Sequence, residues 1–122
     1  MRFWVVLLLL SLVVTGCGGG VLKKQYEYEE ELYLALDGTA TLNVNASVPA
    51  LAALRGAHLN VNAKSRFDRD AVRAFFAGPG VTVASISSSR RKGRRFAHVS
   101  LRVDDVRALQ RVSAFSWSSY RF

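Results

Sequence analysis

Apolar and polar residues alternate along two consecutive stretches of this chain, and the alternation predicts a β-hairpin. Tyr26, Tyr28, Leu32, Leu34 and Leu36 share one parity. Glu27, Glu29 and Glu31 hold the other, and Glu30 is the exception on the apolar side. Next, Ala40, Leu42, Val44, Ala46 and Val48 alternate with Thr41, Asn43, Asn45 and Ser47. A period of two over such lengths describes strands with one buried face. Asp37-Gly38 marks the turn, and parity selects its length. A two-residue loop would set Leu36 against Thr39, apolar against polar. A three-residue loop of Leu36, Asp37 and Gly38, with Gly38 left-handed, pairs Leu34 with Ala40 and Leu32 with Leu42. We therefore expect the longer loop.

The period changes after the hairpin. "VPALAALRG" reads as a short helix, with Pro49 at the start, Leu51 and Leu54 as its apolar stripe and Gly56 as its stop. Residues 58–67 read as a modest strand, with Leu59, Val61 and Ala63 on one side. Asp68 then caps a second helix through Ala77, with Val72, Phe75 and Phe76 facing inward. Gly78-Pro79-Gly80 ends it.

Residues 81–122 repeat the pattern of residues 26–67 at an offset of 55 residues. Gly38 aligns with Gly93, Val44 with Val99, Val48 with Val103, Ala53 with Ala108 and Leu54 with Leu109. Arg66-Phe67 aligns with Arg121-Phe122, which makes seven identities without a gap. With a loop of Arg91, Lys92 and Gly93, Val81 faces Val103 and Val83 faces Leu101. A third helix, residues 105–111, is capped by Asp104, and residues 114–122 form a last strand. The expected fold class is α+β: a mainly antiparallel sheet with helices on one face, built from two β-β-α-β repeats, residues 26–67 and 81–122, joined by the helix at 68–77. The chain stops on Phe122, either as the natural close of a sheet or as a cut through a longer protein.

Ahead of this single domain, residues 26–122, the pattern is continuously apolar. Met1-Arg2 gives a short charged start, and residues 3–14 are apolar except Ser11. A run of that length is too short for a membrane-spanning helix, which needs about 20 apolar residues. A positive start, a short apolar run and small residues before a cut site describe an export signal. Val14-Thr15-Gly16-Cys17 resembles the lipobox of bacterial lipoprotein precursors. The resemblance implies cleavage between Gly16 and Cys17, a diacylglyceryl group on the Cys17 thiol and acylation of the new amine. Residues 1–16 would be the signal peptide and residues 17–25 the lipidated cysteine and tether, with Gly18, Gly19 and Gly20 giving flexibility. Cys17 is the single cysteine, so no internal disulfide is possible. Gly18 in the second mature position, where aspartate would retain the protein at the inner membrane in enteric bacteria, points to the periplasmic face of the outer membrane.

Charge adds a surface to this picture. The formal net charge is +8, and loss of Arg2 with the signal leaves +7. Five cations, Arg90, Arg91, Lys92, Arg94 and Arg95, crowd one hairpin tip, where they are candidates to contact anions. For an anchored protein the nearest polyanions are lipid headgroups or an envelope glycolipid. Nucleic acid is a poor partner, because export removes the chain from most of it and no aromatic residues interleave the charges. Catalytic motifs are absent. His58 and His98 stand alone in sequence without metal-ligand spacing, Ser85, Ser87, Ser88 and Ser89 lack a nucleophile-elbow pattern, and three of the four glutamates share the polar face of a strand. We expect no enzyme, metal or cofactor.

The lipobox followed by "ALDGTATLNVNASVP" and a helix resembles small bacterial lipoproteins of unknown function, including the LppM-like type. This resemblance, over residues 32–54, implies an envelope domain and supplies no active-site residues. The expected function is a membrane-anchored binding or interaction module. Alternatives are a component of an outer-membrane assembly, suggested by the terminal "SYRF", and the N-terminal part of a longer envelope protein.

Overall fold

A computed structural model describes residues 26–116. The expected signal peptide and tether, with Gly16 and Cys17, and residues 117–122 of the expected last strand lie outside the described residues. Four strands, β1 (Tyr28–Leu34), β2 (Ala40–Ser47), β3 (Val81–Arg91) and β4 (Arg94–Val103), form one antiparallel sheet in the order β1-β2-β4-β3. Helices α1 (Val48–Arg55) and α2 (Arg69–Phe76) and two 3₁₀ helices, Val106–Arg111 and Ser113–Phe115, complete an α+β fold. Among the described residues no helix is long and apolar enough to cross a membrane.

The first hairpin has the register that parity requires: Leu34 opposes Ala40 and Leu32 opposes Leu42. The Ala35 amide donates to the Thr39 carbonyl at 2.8 Å, which leaves Leu36, Asp37 and Gly38 as the loop. Gly38 has φ +89°, a conformation that side chains disfavour.

The second hairpin agrees at its base and departs at its tip. Val81 opposes Val103 and Val83 opposes Leu101, but the register shifts between Val83 and Ser85, and the strands then run to Arg91 opposite Arg94. Ala84 is therefore the extra residue of a β-bulge. It consumes one residue of the loop, so the turn is Lys92-Gly93, both at positive φ (51° and 73°), instead of the expected three residues. The bulge also reverses the facing of everything beyond it. Ile86 enters the core, while Ser87, Ser89 and Arg91 turn to the opposite face.

The two hairpins meet through β2 and β4, where Val44 opposes Val99, Leu42 opposes Leu101 and Ala46 opposes Ala97. The 55-residue offset carries Val44 onto Val99 and exchanges the other two pairs, as a local two-fold through the Val44–Val99 pair requires. The repeat is thus a hairpin plus a helical segment. Residues 58–67 form no strand: Asn60 Oδ1 accepts from the Asn62 amide and Asn62 Oδ1 from the Lys64 amide, each at 3.0 Å. Asparagine side chains thereby take up amides that a ladder would need. The third helix is also shorter than expected. It is a 3₁₀ helix beginning at Val106, and its cap is Asp105, whose carboxylate accepts from the Arg107 amide. The Asp104 amide is held instead by the Gly80 carbonyl at 2.9 Å. Residues 114 and 115 belong to the second 3₁₀ helix, not to a strand.

One face of the sheet carries Leu42, Val44, Val99 and Leu101, and the helices cover it with Leu51, Val72, Phe76, Leu109 and Phe115. The Phe76 and Phe115 ring centroids lie 5.9 Å apart. Among the described residues Ser47 is the one fully buried polar residue of this core, and its hydroxyl caps α1 by accepting from the Ala50 amide at 3.1 Å. Glu30, the odd residue on the apolar side of β1, is explained by Arg55 at the end of α1. Arg55 bridges to Glu30 at 3.1 Å and lies 4.7 Å from the Tyr28 ring centroid, while the Tyr28 hydroxyl donates to Glu30.

Candidate anion-binding surface

The bulge at Ala84 and the two-residue turn divide the basic cluster between two faces. Arg90 opposes Arg95 and Arg91 opposes Arg94, so the first pair projects toward the helix side and the second toward the open side of the sheet. Arg91 stacks its guanidinium 4.3 Å from the Phe96 ring centroid, and Phe96 is buried beneath it. Arg94 pairs with Glu27 of the segment leading into β1. Both side chains of this pair are about half exposed, at 52% and 49%, so it contributes no more than ~1 kcal/mol. Arg90 and Lys92 are exposed and form no ion pair among the described residues. Arg95 is half-buried, and its Nε is buried without a hydrogen-bond partner.

The chain leading into β1 lies against this hairpin. Tyr26 and Glu27 share a pocket of about 250 Å³ with Arg91, Lys92, Arg94 and Phe96. The Glu27 carbonyl is fixed by the Ser47 amide at 2.8 Å, which holds this segment beside the last residue of β2. The tip of the first hairpin is at the other end of the sheet, because Ala40 opposes Val103 whereas Ser47 opposes Phe96.

Sequence reasoning missed a second constellation, on the open face. His98 is not isolated in space: its Nδ1 lies 2.9 Å from Asn45 Oδ1 and its Nε2 2.7 Å from Ser89 Oγ. In the neutral imidazole, an Nδ1 proton donated to Asn45 Oδ1 leaves Nε2 to accept from the serine hydroxyl. Asn45 directly opposes His98, so the β2–β4 register makes the contact. The bulge supplies Ser89, which would otherwise face the helices. Nucleophile, base and orienting group stand in line, as acyl-transfer chemistry uses them. Ser89 nevertheless lies within a strand and not on a turn that converges amides on a developing oxyanion. His58 is not part of this network and lines a separate pocket with Leu59 and Arg66. Among the described residues no three His, Cys, Asp or Glu side chains are grouped to hold a metal ion. Comparison with protein-family models, curated proteins and solved structures finds no match to this chain.

Proposed function

We propose that this chain is a lipid-anchored envelope module whose basic hairpin rests against an anionic membrane surface. The carrying observation is the shared end of the sheet: Tyr26 and Glu27, where the chain leaves its tether, pack against Arg91, Lys92 and Arg94. An anchor at Cys17, one short tether away, brings that end toward the lipid. The free charges of Arg90 and Lys92 then meet the headgroups. Each basic residue near an anionic surface contributes about 1 kcal/mol, within a Debye length of about 8 Å at physiological salt. Two acyl chains give durable attachment where one gives only marginal binding, so the hairpin orients the domain more than it holds it. The function this supports is non-catalytic: presentation of the helical face and the open sheet face at a fixed distance from the bilayer.

Co-sedimentation with anionic vesicles tests the reading on protein lacking residues 1–17, whose binding depends on the domain alone. Arg90→Gln/Lys92→Gln should weaken binding by about 2 kcal/mol at low salt, roughly thirtyfold. It should leave the melting temperature unchanged, because neither side chain is in an ion pair among the described residues. Equal binding by variant and parent would reduce the hairpin to a solvated turn.

A further inference from the structure

One cation of the hairpin has surroundings unlike the rest. Arg95 lies on the side of β4 that carries Ala97 and Val99, and its buried Nε has no hydrogen-bond partner. Native proteins seldom leave a buried donor of a charged side chain unpaired. Arg95 itself lines an open cleft of about 840 Å³, within the range of small-molecule sites. Arg66, Arg69 and Ser88 line the same cleft.

Each of these side chains is brought there by a separate feature of the fold. Arg66 comes from the strap at 58–67, which asparagine-capped turns keep out of the strand ladder. Arg69 opens α2, and its guanidinium is fixed by a 2.8 Å bond to the Ile86 carbonyl on the edge of β3. Ser88 faces the cleft because the bulge at Ala84 has reversed the facing of β3. Two carboxylates, Asp68 and Asp70, complete the lining. Asp68 commits one oxygen to the Ala71 amide at 2.9 Å. Arg95 and Arg66 also border a smaller adjoining pocket of about 290 Å³ beneath the strap.

We infer that this cleft binds a small phosphomonoester with a hydroxylated body, a sugar phosphate in chemical class. Three guanidinium groups and a serine hydroxyl match a phosphate dianion, which planar guanidinium donors engage in paired hydrogen bonds. The carboxylates accept hydrogen bonds from ligand hydroxyls and repel a second anionic group. The cleft therefore selects a molecule charged at one end and neutral but polar at the other. This assignment concerns Arg95, Arg66 and Arg69, not the membrane-facing tip, and does not rest on the orientation proposed above.

Isothermal titration calorimetry of the full chain in non-ionic detergent tests it, with glucose 6-phosphate, inorganic phosphate and glucose as probes. Glucose 6-phosphate should bind at least about tenfold more tightly than inorganic phosphate, and glucose should not bind. Arg95→Gln and Arg66→Gln should each weaken glucose 6-phosphate binding by about tenfold or more, the loss expected for one charge-assisted hydrogen bond. Arg102→Gln, at the far end of β4 opposite Thr41, should leave it unchanged. Arg66 sits on the exterior strap, so its variant reports on the site even where Arg95→Gln lowers the melting temperature. The proposal is overturned by absent binding at millimolar glucose 6-phosphate, or by binding indifferent to both substitutions. Equal affinity for glucose 6-phosphate and inorganic phosphate overturns the assignment of a sugar phosphate.

Discussion

Removing the carboxylate of Glu30 tests how the sheet edge is held. Glu30 and Arg55 approach to 3.1 Å, with side chains only 20% and 17% exposed. At an effective dielectric constant of about 20, their gross attraction is about 5 kcal/mol. Desolvation offsets much of this. The net value belongs between the 0–1 kcal/mol typical of exposed pairs and the 3–5 kcal/mol lost when a fully buried pair is broken. We expect Glu30→Ala to cost about 2 kcal/mol, since it also strips the Tyr28 hydroxyl of its acceptor. In a domain of this size that lowers the melting temperature by roughly 10 °C. Glu27→Ala, which breaks the half-exposed pair with Arg94, should cost less than about 1 kcal/mol. Because Glu30 lies on the apolar side of β1, Glu30→Leu/Arg55→Leu should return to within about 1 kcal/mol of the parent although each single change destabilises. Urea unfolding of the singles and the double, read as a double-mutant cycle, measures all of this. A cost for Glu30→Ala no larger than that for Glu27→Ala would refute the reasoning.

Three further outcomes are expected. The Tyr28 phenol is held above its usual pKa, first by burial and then by the Glu30 carboxylate, so folding favours its neutral form. That contribution is complete below about pH 10 and erodes as pH rises further, and stability measured against pH should fall less steeply above 10 in Tyr28→Phe. Ser47→Ala removes a fully buried cap and should cost about 1–2 kcal/mol in urea unfolding, with β2 intact by amide exchange. Palmitate should label the parent protein and not Cys17→Ser, and equal labelling would remove the anchor from the proposal.

The first hairpin was legible because two apolar parities had to face one core, which fixed loop length as well as strand identity. The second was legible only at its base. Its apolar positions step from Val81 and Val83 to Ile86, an interval of three that marks a bulge, but three serines come next and no buried side chain restates the register. Residues 58–67 alternate like a strand, yet the intervening Asn60 and Asn62 bind backbone amides locally, and alternation carries no information about that competition. In the candidate site, the charge of Arg90–Arg95 was plain and its division between two faces was not, since that division hangs on one bulged residue. The His98–Asn45 contact was within reach. An offset repeat whose central strands pair about a two-fold sets Val44 against Val99, and hence Asn45 against His98.

The proposed orientation of the domain on a membrane is the point to measure. The ten residues of β4 span about 30 Å, so the Lys92 turn and the Leu36 turn stand at opposite ends of the sheet. Cys17 is the single cysteine, and the proposed acylation would consume it. A cysteine introduced by Lys92→Cys or Leu36→Cys is then the sole free thiol and accepts a fluorophore in the full acylated chain. In anionic vesicles carrying nitroxide-labelled headgroups, the fluorophore at position 92 should be strongly quenched and that at position 36 nearly unquenched. Quenching at position 36 equal to or greater than that at position 92 would contradict a basic hairpin turned toward the membrane.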